Sequence, residues 1–358
     1  MTRLERLRDR MEATGVDLVA LAPGAHLHWL LGFAPHPDER PCLLLIGPEK
    51  AGFLMPALNA QDARQNTDLP FWEWSDDNGA DSALAQALQA INPQPVKVAI
   101  DEVMRADHAL LVLGAVPGAA QCFAAETIGA LRMIKDAAEL AALQENARIA
   151  DAAQVALRDA VRDGITERNL CDVAKARFEQ DGARLAFGVV GAGGNSAFPH
   201  HHTGGTAVRP GDAIVVDIGG QKDGYFSDIT RMCCLGHAPD GYQEIHDLVE
   251  AAVVAALAAV RPGAQARQID KAARDVIEAA GYGAFFTHRT GHGLGAEVHE
   301  PPYITTANAL ILEEGMVFTV EPGIYLPGRF GVRLEEVAVV TVDGCRILSG
   351  LSRDLFTV

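Results

Sequence analysis

Several features that would point to common functional classes are scarce or missing in this sequence of 358 residues. Basic residues are outnumbered, with 30 Lys and Arg against 47 Asp and Glu, and the net charge of -17 argues against a nucleic-acid or anionic-membrane partner. None of the six cysteines forms a C-x-x-C pair, which argues against a zinc-thiolate site and favours the reducing cytoplasm. The most apolar internal segment, AAVVAALAAV, covers only ten residues. That is half of a membrane span, so it predicts a buried helix.

The amino-terminal segment MTRLERLRDRM also lacks the apolar core of a signal peptide. Leu4, Leu7 and Met11 fall at helical spacing, so we predict a folded helix here. The chain length favours two domains, which we place at residues 1–128 and 129–358. The first domain alternates short strand patterns with helix patterns, so it is predicted to be a small α/β unit. The predicted strands are LVALAP, PCLLLIG and VKVAI, and the predicted helices are DSALAQALQAI and MRADHALLVLGAV.

The second part of the chain repeats one order of elements. Helical patterns at residues 136–163 and 166–180 precede the strand-like stretch VVDIGGQKDGYFSDITRM. Two more at residues 243–260 and 264–280 precede FTVEPGIYLPGRFGVRLEEVAVV. The recurrence predicts an internal duplication.

Each of these two strand regions carries a pair of acids. Asp217 and Asp228 lie opposite one another if the chain turns between residues 222 and 223, and Glu321 and Glu335 are symmetric about Gly328. One aspartate at a strand end is usually a turn or cap residue. Two mirrored pairs are different, because like charges that face each other destabilise a sheet and buried carboxylates need a counter-charge. Four carboxylates supply the charge and oxygens for two divalent ions about 3.5 to 4 Å apart, as in two-metal hydrolytic sites.

Histidines cluster in two short stretches, NSAFPHHHTGG and THRTGHGLGAEVHEPP. We select His292 as the nitrogen ligand, because the glycines on both sides let the backbone approach a bound ligand closely. Four carboxylates with one imidazole favour manganese by hardness and cobalt by tolerance of imidazole, while iron and zinc remain open.

Six segments, taken in order, resemble a known family: GGNSAFPHHHTGG, VVDIGG, SDITR, GHGLGAEVHEPP, FTVEPG and GVRLEE. They are similar to the creatinase-like (M24) metallopeptidases with the pita-bread fold, and above all to the Xaa-Pro peptidases, prolidase and aminopeptidase P. The resemblance implies an α+β protein. A pita-bread catalytic domain with an internal pseudo-twofold duplication would occupy residues 129–358, preceded by the smaller α/β creatinase-like N-terminal domain at residues 1–128.

The resemblance also implies a role for each residue of the motifs. Two divalent metal ions, with manganese favoured, would be held by Asp217, Asp228, His292, Glu321 and Glu335, with Asp228 and Glu335 bridging. His200, His288 and His299 would contact substrate, and Arg333 would pair with a ligand carboxylate. Glu321 would transfer protons during metal-assisted hydrolysis, and cationic imidazoles at His200 or His299 would stabilise the oxyanion. The adjacent His201 and His202 are interpreted as loop residues, and Cys233 and Cys234 as core residues.

The substrates implied are small peptides with proline at the second position, and the family resemblance further implies a homodimer in which the N-terminal domain covers the partner's active site. Dipeptidase and aminopeptidase activity both remain open. Some prolidases place an arginine after the H-E-x-P segment, where this chain has Tyr303. A second hypothesis is another reaction on the same scaffold, such as amidine hydrolysis of the creatinase type or a lyase acting on a small zwitterion. A third, a binding module that has lost the chemistry, predicts missing ligands, and none is missing.

Overall fold

Side-chain caps mark the start of several helices. The structure, a computed structural model, describes residues 1–358. Thr2 caps the first helix and exchanges hydrogen bonds with Glu5, and Asp136 does the same with Glu139 at the start of the longest one. Each such box satisfies backbone N–H groups that a helix start leaves without partners.

The chain divides into two compact units, residues 1–132 and 133–358. A functional division at residues 1–128 and 129–358 stays a prediction. The helices of the first unit are α1 (Arg3–Thr14), α2 (Ala25–Leu31), α3 (Ala57–Ala63), α4 (Asp81–Ile91), α5 (Ala106–Ala115) and α6 (Ile128–Met133), the last of which ends at the division. Its strands are β1 (Leu18–Leu21), β2 (Leu43–Ile46), β3 (Ala51–Pro56), β4 (Phe71–Trp74), β5 (Lys97–Ile100) and β6 (Ala120–Phe123).

These six strands form one mixed sheet in the order β4-β3-β2-β1-β5-β6. Along β1, Leu18 and Ala20 belong to one apolar cluster and Val19 and Leu21 to another, so both faces of the sheet are covered. This explains why its strands are continuous apolar runs. The predicted α/β character of this part and its three predicted strands and three predicted helices, α1 included, are confirmed.

The second unit is built from four long helices and three sheets. Its helices are α7 (Ala137–Asp159), α8 (Glu167–Gln180), α9 (Tyr242–Ala259) and α10 (Ala266–Ala279). Its strands are β7 (Arg184–Ala192), β8 (Ala213–Lys222), β9 (Tyr225–Phe226), β10 (Ile229–Cys234), β11 (Gly291–Gly293), β12 (Glu300–Ile304), β13 (Val317–Val320), β14 (Gly323–Leu326), β15 (Phe330–Arg333), β16 (Glu336–Val340), β17 (Cys345–Ile347) and β18 (Phe356–Thr357). All four predicted helices are present, although α7 ends at Asp159 and not at Asp163 as predicted.

Each helix pair packs on one sheet. Helices α7 and α8 share an apolar cluster with β7 and β8, in the sheet ordered β18-β10-β8-β7, where β9 also pairs with β8. Helices α9 and α10 share another with β13 and β16, in the sheet ordered β12-β11-β13-β16-β17. Strands β14 and β15 form a separate two-stranded sheet. The predicted buried helix lies in α9, where Ala252, Val253 and Ala256 are fully buried.

The two halves of this unit repeat the same main-chain hydrogen bonds. Gly164 N donates to Val208 O at 2.9 Å, and Val208 N donates in return to Ile165 O. In the second half Gly263 N donates to Leu312 O, also at 2.9 Å, and Leu312 N returns a bond to the residue after the glycine. Val208 and Leu312 are separated by the same 104 positions as Asp217 and Glu321. The predicted internal duplication is therefore a feature of the fold.

No helix combines the length and the apolar character that crossing a bilayer requires. All six cysteines are free, and Cys233 and Cys234 are buried in the core as predicted.

Candidate metal centre

The first acid pair lies on the β8–β10 hairpin in a register that differs from the prediction. Asp217 pairs with Thr230, and Asp228 directly precedes β10. The prediction that Asp217 and Asp228 face each other is therefore wrong. The turn is centred on Asp223 and Gly224, which both have positive φ, of 52° and 82°. An Asp-Gly dipeptide with this geometry is a strong two-residue hairpin signal.

The second acid pair has the predicted register. Strand β14 pairs with β15 and β13 with β16, and every pair in both ladders is symmetric about Gly328, which has φ of 75°. Glu321 follows β13 and Glu335 precedes β16, so the two glutamates face each other where the two ladders meet. The sequence FTVEPGIYLPGRFGVRLEE therefore positions both side chains by hairpin geometry alone.

His292 lies on the short strand β11 between two glycines with no room for a side chain. A Cβ on Gly291 would come within 1.8 Å of Thr319 O, and one on Gly293 within 2.3 Å of Pro301 O. The glycines thus allow close approach of neighbouring strands and not, as predicted, of a ligand. Nδ1 of His292 lies 3.2 Å from the carbonyl of Gly293, which directs Nε2 toward the acids.

The five predicted ligand residues converge at one point. Nε2 of His292 lies 3.2 Å from Oε1 of Glu321 and 3.7 Å from Oδ2 of Asp228. Ligand atoms of Asp228, His292 and Glu335 all lie within 4.8 Å of one another. Asp217 lines the same cavity. Two hairpins, one from each half of the unit, therefore bring four carboxylates together, and strand β11 adds the imidazole.

Two carboxylate oxygens in this cluster have no hydrogen-bond partner. They are Oδ1 of Asp217 and Oε1 of Glu335, and Glu335 is only 1% exposed. Buried polar atoms are nearly always paired, so orphaned acceptors that point into a shared space are what a cation site requires. The donor set is hard and oxygen-rich with one imidazole, and it fits divalent ions of the manganese, cobalt, iron or zinc type.

The pKa values of the carboxylates also indicate that positive charge is lacking at this site. Burial and then the neighbouring carboxylates raise the pKa of Asp228 and of Glu335 well above their ordinary values. Burial also raises the pKa of Asp217, although Arg333 opposes it. Burial acts in the same direction on Glu321, but there the hydrogen bond and charge of His292 prevail and hold the pKa at about 2.

Arg333 connects the cluster to its surroundings. Its Nη2 donates to Oδ2 of Asp217 at 2.5 Å, Nε to the Thr230 hydroxyl at 3.2 Å, and Nη1 to the Tyr325 hydroxyl at 2.9 Å. Thr230 in turn donates to Oε2 of Glu335 at 2.7 Å. One guanidinium therefore orients carboxylates of both halves, as expected for an arginine that supports ligands.

A cavity of about 870 Å³ opens above these residues and is lined by the predicted substrate-contacting histidines His200, His288 and His299. Nε2 of His288 lies 2.8 Å from the Tyr325 hydroxyl, and burial lowers the pKa of His288. The rings of His299 and His292 pack edge to face, with 4.1 Å between their centroids. Burial, followed by the charges of His292 and Arg289, lowers the pKa of His299 to about 4, so at neutral pH this imidazole is uncharged.

Comparison with known proteins agrees with this geometry. The sequence profile of metallopeptidase family M24 matches residues 141–342, and that of the creatinase/prolidase N-terminal domain matches residues 3–134. The chain belongs to metallopeptidase family M24. As an M24 metallopeptidase it is a hydrolase with the pita-bread fold, and the family implies divalent metal ions.

Three individual proteins illustrate the match. A probable dipeptidase PepE of Mycobacterium tuberculosis is 34% identical over 96% of this chain and 92% of its own length. A Xaa-Pro dipeptidase of Lactobacillus helveticus is 33% identical over 98% of both chains. The crystal structure of a dipeptidase from Pyrococcus horikoshii OT3 superposes with a TM-score of 0.93 at 35% identity and covers both chains fully.

Several residues of this M24 site were not identified from the sequence. Thr230, Thr319 and Tyr325 hydrogen-bond to the proposed ligands, to Arg333 or to His288. Buried Glu167 was also missed; its Oε2 lies 2.9 Å from Nε2 of His201. Three of them had an available signal: Thr230 lies two residues after Asp228, Thr319 two residues before Glu321, and Tyr325 on the strand that pairs with that of Arg333. Glu167 comes from a distant helix and gives no local signal.

A second group of acids with a histidine lies in the first unit, and its hydrogen bonds show that it is structural. Nε2 of His26 lies 3.0 Å from Glu102, and Nδ1 lies 3.0 Å from Nη1 of Arg132. Asp101 accepts from the backbone N–H groups of Ala22 and Val103. Both imidazole nitrogens are therefore engaged, and an arginine already supplies the positive charge.

Proposed function

We propose that this protein is a Xaa-Pro dipeptidase that hydrolyses the bond before proline with the help of two divalent ions, manganese by preference. The observation that carries the proposal is the convergence of four carboxylates and one imidazole, two of whose buried oxygens lack partners, beneath a cavity lined by three histidines. Names of relatives support the choice of substrate, since proteins 33% and 34% identical are described as a Xaa-Pro dipeptidase and a probable dipeptidase.

The proposed ligands are Asp217, Asp228, His292, Glu321 and Glu335, with Asp228 and Glu335 shared between the two ions. When bound, such ions act as Lewis acids and lower the pKa of coordinated water toward neutrality. The mixed oxygen and nitrogen set supports manganese or cobalt over a thiolate-preferring ion.

Protein side chains supply proton transfer and orientation. We assign Glu321 as the acceptor of the proton of the attacking water, because its carboxylate lies 3.2 Å from His292 and lines the cavity. Glu321 then returns that proton to the proline nitrogen as the bond breaks, because a tertiary amide has no N–H of its own. His299 is neutral and therefore donates an N–H hydrogen bond to the developing oxyanion, with no imidazolium charge of its own. His200 and His288 contact the substrate.

The cavity also contains a surface suited to the pyrrolidine ring. Phe187, Val189, Phe226 and Val298 line it. An apolar wall with a few fixed polar groups is the usual composition of a small-molecule site. We propose that this wall selects the proline side chain.

The free carboxylate of a dipeptide needs a cation, and Arg289 is the candidate. It lines the cavity, and its guanidinium carbon lies 4.6 Å from the ring centroid of Tyr303. Tyr303 occupies the position where some prolidases carry an arginine. Stacking on an aromatic ring holds an arginine in place and leaves its N–H groups free to form a fork with a carboxylate. Arg289 therefore supports dipeptidase activity despite the tyrosine at 303.

The test is a hydrolysis assay with added Mn or Co on a Xaa-Pro dipeptide and on the tripeptide Xaa-Pro-Yaa. Cleavage of the dipeptide alone is expected; strong preference for the tripeptide would change the assignment to aminopeptidase P. No activity on either peptide with both ions bound would favour another reaction on this scaffold.

A matched pair of variants tests the metal assignment. Asp228→Asn should prevent loading of both ions, whereas Asp223→Asn, in the exposed turn of the same hairpin, should leave two ions bound. Retention of two equivalents by Asp228→Asn would contradict the bridging role. A homodimer is proposed from the family resemblance and a cytoplasmic location from the cysteine pattern, and sedimentation velocity of the purified protein tests the dimer.

A further inference from the structure

A fully buried carboxylate lies behind the loop that carries His200. Glu167, at the first position of α8, is 0% exposed, and it lies outside the set of ligands and substrate contacts. Its Oε1 accepts from the backbone N–H of Ala192 at 2.9 Å and from Nδ2 of Asn195 at 2.8 Å. Its Oε2 accepts from Nε2 of His201 at 2.9 Å and from the N–H of Gly204 at 3.1 Å.

These four donors come from both ends of one loop, residues 192–204. Ala192 and Asn195 lie at its start, and His201 and Gly204 at its end. Thr203 fixes the end again, since its hydroxyl donates to Gly188 O and accepts from the N–H of Val190. Glu167 therefore closes the loop with one side chain. The charge makes these hydrogen bonds stronger than neutral ones.

The part of the loop between these anchors faces the metal centre. Pro199, His200, His201 and His202 all line the cavity, and the carbonyl of Pro199 accepts from Nη1 of Arg333 at 3.3 Å. Arg333 is the residue that also holds Asp217. His200 thus lies between two anchored neighbours. His201, the next residue, bonds to Glu167 on the helix side, and Pro199, the preceding one, bonds to Arg333 on the metal side.

We propose that His201 is a positioning residue that, through Glu167, holds His200 in its substrate-contacting place. This inference rests on the proposed function, because that function gives His200 its role. His201 carries the only side-chain hydrogen bond between Glu167 and the segment that follows His200. Misplacing a contact by about 1 Å reduces turnover strongly, so an anchor adjacent to His200 has a direct effect on the reaction.

Variants at this position test the proposal without loss of the fold. In His201→Ala, Glu167 keeps its hydrogen bonds from Ala192, Asn195 and Gly204, so the buried carboxylate still has three donors. His201→Ala is expected to lower kcat/KM about tenfold with two metal ions still bound. His201→Gln, which can donate to the same oxygen, is expected to recover to within about threefold of the unaltered protein. The control His202→Ala removes the next imidazole, which is exposed and makes no bond to Glu167.

A double-mutant cycle separates positioning from general damage. If His201 acts through His200, adding His201→Ala to His200→Ala changes kcat/KM by less than about twofold. An equal loss in both backgrounds would overturn the proposal, as would a His202→Ala loss as large as that of His201→Ala. Wild-type-like activity of His201→Ala would overturn it as well.

A measurement without substrate keeps this proposal distinct from the proposed function. Hydrogen–deuterium exchange across residues 198–204 of the metal-loaded protein is expected to rise in His201→Ala and to stay unchanged in His202→Ala and His201→Gln. Absence of that rise would overturn the anchoring even in an active enzyme. If the unaltered protein cleaves no Xaa-Pro peptide, the proposed function fails, and the exchange contrast still decides whether His201 anchors the loop.

Discussion

Nη2 of Arg333 lies 2.5 Å from Oδ2 of Asp217, although the two residues belong to different halves of the second unit. The other carboxylate oxygen of Asp217 is buried and has no partner. One oxygen is thus held by the protein while the other remains available to a cation. This division allows a ligand to be oriented before the ion arrives, which is the role of outer partners in metal sites.

Replacing Arg333 by lysine keeps the charge and removes the fork that contacts Asp217, Thr230 and Tyr325. We expect metal affinity to fall by about 10- to 100-fold, because the carboxylates lose their orientation. Competition with a chromophoric chelator measures the affinity. Arg329→Lys, an exposed arginine of the same hairpin, is the control and should leave it unchanged. Equal affinities for Arg333→Lys and the unaltered protein would show that the fork is dispensable.

Metal loading should release protons. Without ions, burial and mutual repulsion raise the pKa of Asp228 and Glu335, so in the folded protein these carboxyls hold protons at a pH where the unfolded chain has lost them. Their contribution to stability is therefore present below the unfolded pKa and is lost as the pH rises through the raised folded values. Ions must displace these protons, so the rise in Tm on adding Mn should be larger at pH 8 than at pH 6.

Calorimetric titration with Mn in two buffers of different ionisation enthalpy counts the protons released. Identical apparent enthalpies in the two buffers would mean that no proton leaves, and would contradict protonated carboxyls in the metal-free centre.

Lys135 and Glu300 form an ion pair that is almost completely buried, with 1% and 3% of their side chains exposed and 2.6 Å between Nζ and Oε1. Glu300 follows His299 directly. Lys135→Met leaves the carboxylate without this cation, and we expect a loss of about 3 to 5 kcal/mol in the free energy of unfolding. Urea denaturation measures it. Lys271→Met breaks an exposed pair with Asp275 and should change stability by less than about 1 kcal/mol. Similar losses of stability in Lys135→Met and Lys271→Met would show that the buried ion pair contributes no more than the exposed one.

Arg289→Gln should separate the two substrate types. If Arg289 binds the dipeptide carboxylate, KM for the dipeptide should rise by roughly tenfold or more, as expected for loss of a charge-assisted fork. KM for the same dipeptide with an amidated carboxyl end should hardly change. A matched variant, Arg267→Gln, alters an arginine outside the cavity-lining residues. An equal increase in KM for both peptides would show that Arg289 does not recognise the carboxylate.

The fold and the five convergent residues were predictable because local rules determine both. Helices α1, α7 and α8 begin at side-chain caps, and the second hairpin turns at Gly328 as its symmetry predicts. The turn of the first hairpin was predicted one position too early, because Asp223-Gly224 was not recognised as the turn. The partner of Asp217 shifted by two residues, and such a shift keeps a side chain on the same face of the sheet. Asp217 therefore lines the same cavity as the other predicted ligands despite the incorrect register.

Several of the supporting contacts could not be predicted, because their partners come from distant parts of the chain. Glu167 begins a helix and reads as an ordinary acidic first-turn residue; only the folded loop shows that four donors meet it. The glycines beside His292 were assigned to ligand approach, whereas their role depends on Thr319 and Pro301 in adjacent strands. The neutral state of His299 likewise depends on burial, which no motif specifies.

The duplicated architecture has a consequence for how the catalytic unit stays together. Each half contributes one acidic hairpin, so negative charge is concentrated at the junction between them, where burial and the neighbouring carboxylates raise the pKa of Asp228. Divalent ions bound at this junction would join the two halves as well as serve the reaction, and chelation should weaken the packing between the halves before either half unfolds.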